Sequence, residues 1–340
     1  MPSRTALRSE NETPSDILLK VRGLKVHFPV STGGFLGKTV PLKAVDGIDF
    51  DLKESETLGV VGESGCGKST LGRGVLQLLH PTAGSVVWMG NHIENLPSKA
   101  MTEYRKQMQI IFQDPLASLD PRMTIGDIIA EPLTVHRKDL SKKQRKEKVA
   151  EIMEQVGLLP LMINRYPHEF SGGQCQRIGV ARAMILRPRL IVCDEPVSAL
   201  DVSIQGQIIN LIMRLQESFK LSLIFISHDL SVVKHISHRI LVLYLGNTME
   251  IAGQDNLYTN PRHPYTKALI SAVPIPDPRL EKNKKRTVLV GDLPSPLAPP
   301  SGCVFRTRCP IAEGLCAKEK PELLDIGDSH QVACHFWDKE

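Results

Sequence analysis

Long apolar runs are missing from this chain of 340 residues. No stretch approaches the roughly 18 apolar residues that a membrane-spanning helix needs, and the longest candidates, such as 240–245, have the length of a strand. The N-terminus, MPSRTALRSENETPSD, also lacks the apolar centre of a secretory signal. We therefore expect a chain that stays outside the bilayer, so any membrane role must come through a partner.

An excess of charge of one sign is also missing. Lys and Arg number 42 against 37 Asp and Glu, a net charge of +5. This small excess is compatible with a phosphate ligand or an anionic membrane surface, and equally with an ordinary solvated surface. The seven cysteines are odd in number and follow no export signal, which favours a reducing compartment and argues against a disulfide framework.

The apolar fraction of 41% is sufficient for a packed core. Residues 1–16 are polar and are predicted to be mobile, whereas 17–61 alternate apolar and polar residues like antiparallel strands around a loop at 31–37. Ser141, followed by Gln144, predicts the start of a helix. Buried strands are predicted at 57–61, 190–193 and 222–227, with helical sequence over 205–219. Strands that alternate with helices indicate an α/β fold with a parallel sheet.

The sequence changes character after about residue 253, where prolines become frequent. We expect residues 255–340 to form a C-terminal region with little regular structure. It contains a connector of mixed charge at 281–286 and ends in four clustered cysteines, Cys303, Cys309, Cys316 and Cys334.

A glycine-rich phosphate loop follows the first buried strand. Its eight residues match the P-loop pattern and lead into helical sequence at Thr70: Gly62, Glu63, Ser64, Gly65, Cys66, Gly67, Lys68 and Ser69. Glycines allow backbone N–H groups to converge on phosphates at the positive end of the following helix. Lys68 is predicted to reach the β- and γ-phosphates, and Ser69 to ligate Mg²⁺. Cys66 occupies a variable position and is assigned no redox role.

Two further motifs narrow the class of nucleotide-binding protein. The strand at 190–193 ends in Asp194 and Glu195, which suit an acid near Mg²⁺ and a group that orients the attacking water. Ser171, Gly172, Gly173 and Gln174 precede an apolar-periodic stretch, which is typical of a capped helix start. Such a start can also serve as a second site for the γ-phosphate.

Together these motifs resemble those of the ABC ATPase family, in order and in spacing, from about residue 17 to 253. The resemblance adds Gln113 as the Q-loop residue, Asp201 in the D-loop and His228 as the switch histidine. It implies a P-loop core with an antiparallel β subdomain and a helical subdomain over about 114–180, within an ATPase domain over 17–254. Phe170 stands where the signature usually has Leu.

The resemblance also implies a role for each motif. Two subunits would meet head to tail, so that ATP lies between the phosphate loop of one and residues 171–174 of the other. Gln113 would contact Mg²⁺ beside Ser69 and Asp194, whereas His228 would hold the γ-phosphate and position Glu195. Phe28 is the candidate for stacking on adenine, with a core phenylalanine as the alternative.

Three kinds of ABC protein fit these motifs: a transporter subunit, a soluble protein of translation or DNA repair, and a P-loop protein that binds ATP without hydrolysing it. The chain lacks a second cassette and a long coiled coil, and it retains Glu195 and His228. These features favour the transporter. Segments at 260–269, 293–297 and 300–303 resemble the C-terminal region of bacterial oligopeptide and dipeptide importer ATPases, and most resemble F-type dipeptide subunits.

That subfamily implies several partners and a location. The partners are a paralogous ATPase subunit, two transmembrane permeases and a periplasmic or lipid-anchored binding protein, with no nucleic acid. The chain would be peripheral, at the cytoplasmic face of the bacterial inner membrane. Nickel, glutathione and antimicrobial-peptide importers share this architecture, so these cargoes remain alternatives to peptides.

The four clustered cysteines are separated by five, six and seventeen residues. Four thiols in a reducing compartment indicate Zn²⁺ or an iron–sulfur cluster, although the spacing matches neither the usual zinc pattern nor the common ferredoxin patterns. Free thiols are the third possibility. The resemblance to peptide importers implies a [4Fe–4S] cluster that staples a short region.

Overall fold

The computed structural model describes residues 16–32, 38–274, 277–284 and 287–339. The predicted mobile segment at 1–16 lies outside the described residues except for Asp16, and so does most of the predicted loop at 31–37. The strands in chain order are β1 (Ile17–Thr32), β2 (Lys38–Lys53), β3 (Thr57–Val61), β4 (Ala83–Trp88), β5 (Asn91–His92), β6 (Met108–Ile111), β7 (Leu190–Asp194), β8 (Ser222–Ile226), β9 (Arg239–Tyr244), β10 (Asn247–Gly253), β11 (Leu324–Asp325) and β12 (Gln331–Val332).

The α-helices connect and flank these strands. In chain order they are α1 (Lys68–Val75), α2 (Ser98–Arg105), α3 (Ile125–His136), α4 (Lys142–Gln155), α5 (Gly172–Met184), α6 (Val202–Phe219), α7 (Leu230–Ile236), α8 (Gln254–Thr259), α9 (Pro264–Ala272), α10 (Pro278–Asn283) and α11 (Gly314–Lys318). Within the described residues, no helix combines the length and apolarity that crossing a membrane requires.

A four-stranded antiparallel sheet forms the N-terminal layer, in the order β2-β1-β4-β5. The alternation over 17–61 predicted this pairing, and Leu19, Val21 and Phe50 point into the core as that pattern requires. The antiparallel strands predicted from the sequence are therefore confirmed.

The central sheet has eight strands in the order β11-β12-β10-β9-β3-β8-β7-β6. The five strands from β9 to β6 run parallel, which confirms the predicted α/β sheet. Alternate residues of β8 reach opposite layers: Leu223 and Phe225 pack with the helices, and Ile224 and Ile226 pack toward the antiparallel sheet. Burial on both faces explains why β3, β7 and β8 are apolar throughout.

Three helices, α3, α4 and α5, form a helical region between β6 and β7. Ser141 caps α4 as predicted: its hydroxyl accepts from the Gln144 N–H at 3.3 Å, and its N–H donates to Gln144 Oε1 at 2.9 Å. Arg182 of α5 donates to the Ser118 carbonyl at 2.6 Å, which ties this helix to the segment after Gln113.

The C-terminal region has short elements, in keeping with its many prolines, but it also joins the central sheet. Strand β12 pairs with β10, where Val332 lies opposite Glu250. The buried Glu250 carboxylate accepts from the N–H groups of Arg262 and His263 at 2.7 and 2.9 Å, and it lies 2.6 Å from Nε2 of His330. One buried acid therefore binds three separate segments together.

Candidate functional site: a nucleotide-binding edge

The phosphate loop curls between β3 and α1 because its glycines permit close backbone approach. Gly67 has φ +104°, and a Cβ atom there would lie 2.0 Å from the Ala44 carbonyl oxygen. Gly62 is similarly crowded, with the Leu243 carbonyl oxygen 2.1 Å from the position of its missing Cβ. The loop therefore packs against the backbones of Ala44 and Leu243, and Ser64 and Gly65 are its exposed residues.

Lys68 is buried at the start of α1, with its ammonium group turned onto the loop. Its Nζ donates to the carbonyl oxygens of Gly62 at 2.9 Å and Glu63 at 3.1 Å, and it lies 3.9 Å from Glu195 Oε1. A cation held at the centre of a glycine loop suits a polyphosphate ligand.

Ser69 and Asp194 meet at the carboxyl ends of the parallel strands. The Ser69 hydroxyl donates to Asp194 Oδ1 at 2.6 Å, and Arg73 Nη2 lies 3.4 Å from the other carboxylate oxygen. A hydroxyl and a buried carboxylate are hard oxygen ligands, so this pair fits Mg²⁺, and neighbouring oxygens and water can complete its shell. The sequence predicted Ser69 and Asp194 but not Arg73.

Glu195 lies at the centre of a second set of contacts. Gln113 Nε2 donates to Glu195 Oε2 at 3.2 Å, and His228 Nδ1 lies 3.2 Å from the same oxygen. Glu195 adopts φ +47°, an uncommon conformation for a residue with a side chain, and strain of this kind concentrates at functional sites. The structure thus brings Glu195 and His228, which were predicted to act in hydrolysis, together with Gln113, which was predicted to contact Mg²⁺.

The segment at 171–174 caps α5. The Ser171 hydroxyl accepts from the Gln174 N–H at 3.4 Å, and the Ser171 N–H donates to Gln174 Oε1 at 3.0 Å. Gly172 and Gly173 face Leu200 and Ile204 on either side of the exposed Asp201, so the signature and D-loop segments are packed together. The predicted helix start is confirmed, whereas its use by a partner subunit stays a prediction.

The remaining residues that the sequence placed in the ATP-binding site are Cys66, Phe28 and Thr70. Burial raises the pKa of the Cys66 thiol to about 11, which agrees with its having no redox role. Phe28 is half-buried against the core of the antiparallel sheet, so its stacking on adenine stays a prediction. Thr70 is half-buried in the first turn of α1.

The four C-terminal cysteines converge. Cys309, Cys316 and Cys334 lie near enough to Cys303 to raise the pKa of its thiol, although burial is the main cause of the rise to about 11. The Cys334 sulfur accepts from the Phe336 N–H at 3.4 Å. In the part of the chain that the structure describes, no group of three or more His, Cys, Asp or Glu is arranged to hold a metal ion.

The fold and the nucleotide-binding edge together define an ATP-binding cassette, and comparisons with known proteins agree. Residues 45–198 match the ABC transporter family, and 249–316 match the oligopeptide/dipeptide transporter C-terminal region. A dimeric ATP-binding cassette in a post-hydrolysis state, bound to ADP and Pi, superimposes with a TM-score of 0.61 at 26% identity over 69% of this chain and 98% of that one.

Relatives at higher identity extend over nearly the whole chain. It is 58% identical to the oligopeptide transport ATP-binding protein OppF of Haemophilus influenzae, over 94% of this chain and 97% of that protein. It is 53% identical to AppF of Bacillus subtilis, over 95% and 98%. The chain belongs to the family of ABC transporter ATPases that these oligopeptide transport ATP-binding proteins represent.

Proposed function

We propose that this chain binds and hydrolyses ATP to drive the import of dipeptides or oligopeptides. The observation that carries the proposal is the position of Glu195, held by Gln113 and His228 beside the Lys68 ammonium group. Its relatives OppF and AppF are oligopeptide transport ATP-binding proteins, which supports peptides as cargo. Nickel, glutathione and antimicrobial peptides are the alternative cargoes, because the ATPase does not contact what is transported.

The site residues divide the work of hydrolysis. Lys68 and the N–H groups of residues 62–70 bind the phosphates, with Phe28 on the adenine. Ser69 and Asp194, with Gln113 nearby, hold Mg²⁺, which neutralises phosphate charge when bound. Glu195 orients the attacking water, and His228 keeps Glu195 in place. Residues 171–174 and Asp201 complete the site of the adjacent subunit.

The partners that we propose are a paralogous ATPase subunit, two transmembrane permeases and an extracytoplasmic binding protein, with this chain on the cytoplasmic face of the inner membrane. The helical region supports a permease contact: a groove of about 550 Å³ lies between α3 and α4. Leu159 and Leu161, just after α4, are also exposed, and the side chain of Leu161 is 92% accessible. Closure of the ATPase pair would move this region and the permeases with it.

The catalytic assignment is tested with Glu195→Gln in the assembled transporter. The variant removes the carboxylate charge but preserves the shape of the side chain, so we expect retained ATP binding and at least about 100-fold slower hydrolysis. Glu154→Gln, an exposed change on α4, is the matched control and should hydrolyse ATP like the wild type. Hydrolysis by Glu195→Gln at the wild-type rate would show that the role given to Glu195 is wrong.

We propose further that Cys303, Cys309, Cys316 and Cys334 hold a [4Fe–4S] cluster, with Zn²⁺ as the alternative. The convergence of the four thiols and the Phe336 N–H that donates to the Cys334 sulfur support thiolate ligation. Among the described residues no group of three or more ligating side chains is arranged to hold a metal ion, so the proposal rests on the convergence of the four thiols.

Purification without oxygen, followed by iron and zinc analysis and visible absorption, tests this assignment. Brown protein with about four iron atoms per chain is expected, as the formula of the cluster requires. Cys309→Ala should lose the colour, whereas Cys175→Ala, a buried cysteine outside this region, should keep it. Colourless protein that contains zinc would favour the alternative, and colourless protein without either metal would contradict both.

A further inference from the structure

Glu63, the second residue of the phosphate loop, is held from three directions. Its carbonyl oxygen accepts from Lys68 Nζ at 3.1 Å, and its N–H donates to the Tyr265 hydroxyl at 2.9 Å. Its carboxylate forms an ion pair with Arg308, with Nη1 and Oε2 2.8 Å apart. The first contact lies within the loop, but the other two come from the C-terminal region, more than 200 residues away.

Both C-terminal partners are themselves firmly placed. Tyr265 is fully buried, and its ring packs against Tyr244 at 4.9 Å and Phe305 at 5.3 Å between ring centres. The Arg308 side chain is only 10% exposed and lies beside the Tyr244 ring. Arg308 Nη1 donates to the Glu63 carboxylate, and both side chains are partly shielded from water, so the charge-assisted hydrogen bond is a strong one. Packing already restricts the side chains of Tyr265 and Arg308, so little side-chain entropy is lost when they contact the loop. They can therefore hold the loop in place.

The negative charge of Glu63 explains what its ion pair with Arg308 contributes to the loop. A carboxylate in a loop that receives phosphates repels the ligand, and partial burial strengthens that repulsion. Arg308 neutralises the carboxylate and holds it on the side of the loop where the C-terminal region packs. The Tyr265 hydroxyl meanwhile accepts from the Glu63 N–H and so holds the loop backbone at that residue.

We propose that Arg308 and Tyr265 are positioning residues for the phosphate loop, and that the C-terminal region is thereby part of the machinery for ATP binding. The inference rests on the ATP-binding role proposed above for residues 62–70. Arg308 immediately precedes Cys309, so the cysteine-rich segment presents the arginine to the loop. The region therefore affects ATP affinity without touching ATP.

The test compares ATP–Mg²⁺ dissociation constants of full-length variants by calorimetry. Arg308→Gln should weaken binding about 5- to 30-fold, since it leaves a partly buried carboxylate unpaired. Arg306→Gln is the matched control, because Arg306 lies two residues away and its side chain hydrogen-bonds only to Ser301 among the described residues. It should bind ATP like the wild type.

The double variant Glu63→Gln/Arg308→Gln separates the effect of an unpaired charge in the loop from a general loss of structure. Removing the unpaired charge should return ATP affinity to within about 3-fold of the wild type, because contacting residues are energetically coupled. Tyr265→Phe, which deletes one oxygen atom, should weaken binding by about 5-fold and raise the KM for ATP more than it lowers kcat.

Three results would overturn the inference: wild-type affinity in both Arg308→Gln and Tyr265→Phe, equal weakening by Arg306→Gln, or no recovery in the double variant. If Arg308→Gln does not fold, wild-type ATP affinity in Tyr265→Phe would by itself overturn the inference. Failure of the wild-type chain itself to bind ATP would contradict the proposed function instead, so the two outcomes are distinguishable.

Discussion

The nucleotide-binding edge takes its residues from the ends of neighbouring parallel strands, whereas the C-terminal region is attached through the short strand β12 and a few long-range side-chain contacts. Asp194 ends a buried strand, and Lys68 and His228 each come after one, so the sheet itself brings them together. The C-terminal region depends on Glu250 and on the pair formed by Glu63 and Arg308. Substitutions in the nucleotide-binding edge should therefore change ATP hydrolysis directly. Substitutions in the C-terminal region should act by weakening its attachment to the rest of the chain.

The largest effect is expected where the backbone itself is crowded. Gly67→Ala would place a Cβ atom 2.0 Å from the Ala44 carbonyl oxygen in a left-handed conformation, so the loop must move. We expect a loss of at least about 3 kcal/mol in the free energy of unfolding and no measurable ATP binding. Gly90→Ala, at φ +83° with open space around its Cβ position, isolates the conformational part. It should lose about 1 to 2 kcal/mol and bind ATP normally.

A smaller effect, expected on acidification, tests the attachment of the C-terminal region. His263 is buried, its Nδ1 accepts from the Tyr265 N–H at 3.0 Å, and burial lowers its pKa to about 4. The unfolded imidazole has a pKa near 6.5 and takes up a proton first, so this contribution to stability is complete above pH 6.5 and is lost as the pH falls toward 4.

Urea unfolding measures this contribution. Between pH 7.5 and 5 we expect His263 to account for about 2 kcal/mol of the decrease in the free energy of unfolding. His263→Asn should lose that part of the pH dependence, whereas His80→Asn, at an exposed position between α1 and β4, should retain it. Equal pH dependence in the wild type and His263→Asn would contradict the assignment.

The smallest effect is expected from a cap that serves neither region. Ser141→Ala removes the hydroxyl that accepts from the Gln144 N–H at the start of α4. We expect a loss of about 1 kcal/mol in the free energy of unfolding and unchanged ATP affinity. Ser301→Ala, a surface change in the C-terminal region, should alter stability by less than about 0.5 kcal/mol. A clear change in ATP affinity in Ser141→Ala would show that α4 is coupled to the loop.

The same contrast explains what the sequence predicted and what it did not. Residues 62–69 and 171–174 are continuous segments whose chemistry follows from their own spacing, and strand ends place Asp194 and Glu195 beside the first of these segments. The pair of Glu63 and Arg308 spans 245 residues. Neither residue has a neighbour in sequence that indicates the other, so only the packing of Tyr244, Tyr265 and Phe305 determines that they meet.

The C-terminal region shows the same limit. Its prolines correctly predicted short elements, but the pairing of β12 with β10 depends on two residues of strand and on the buried Glu250. No periodic pattern can indicate so short a strand, because alternation needs at least four residues to be recognised. The convergence of the four cysteines, by contrast, could be predicted from the sequence, because all four side chains carry a thiol group and lie in one region.

The central claim is that ATP hydrolysis at Glu195 drives peptide uptake, and one transport measurement tests it most directly. The chain would be assembled with its permeases and paralogous ATPase in proteoliposomes, with ATP on the side of the ATPase and a labelled oligopeptide with the binding protein on the other. We predict ATP-dependent peptide accumulation by the wild type and by Glu154→Gln, and none by Glu195→Gln. Undiminished accumulation by Glu195→Gln, or ATP-dependent uptake of nickel or glutathione but not of peptide, would contradict the account.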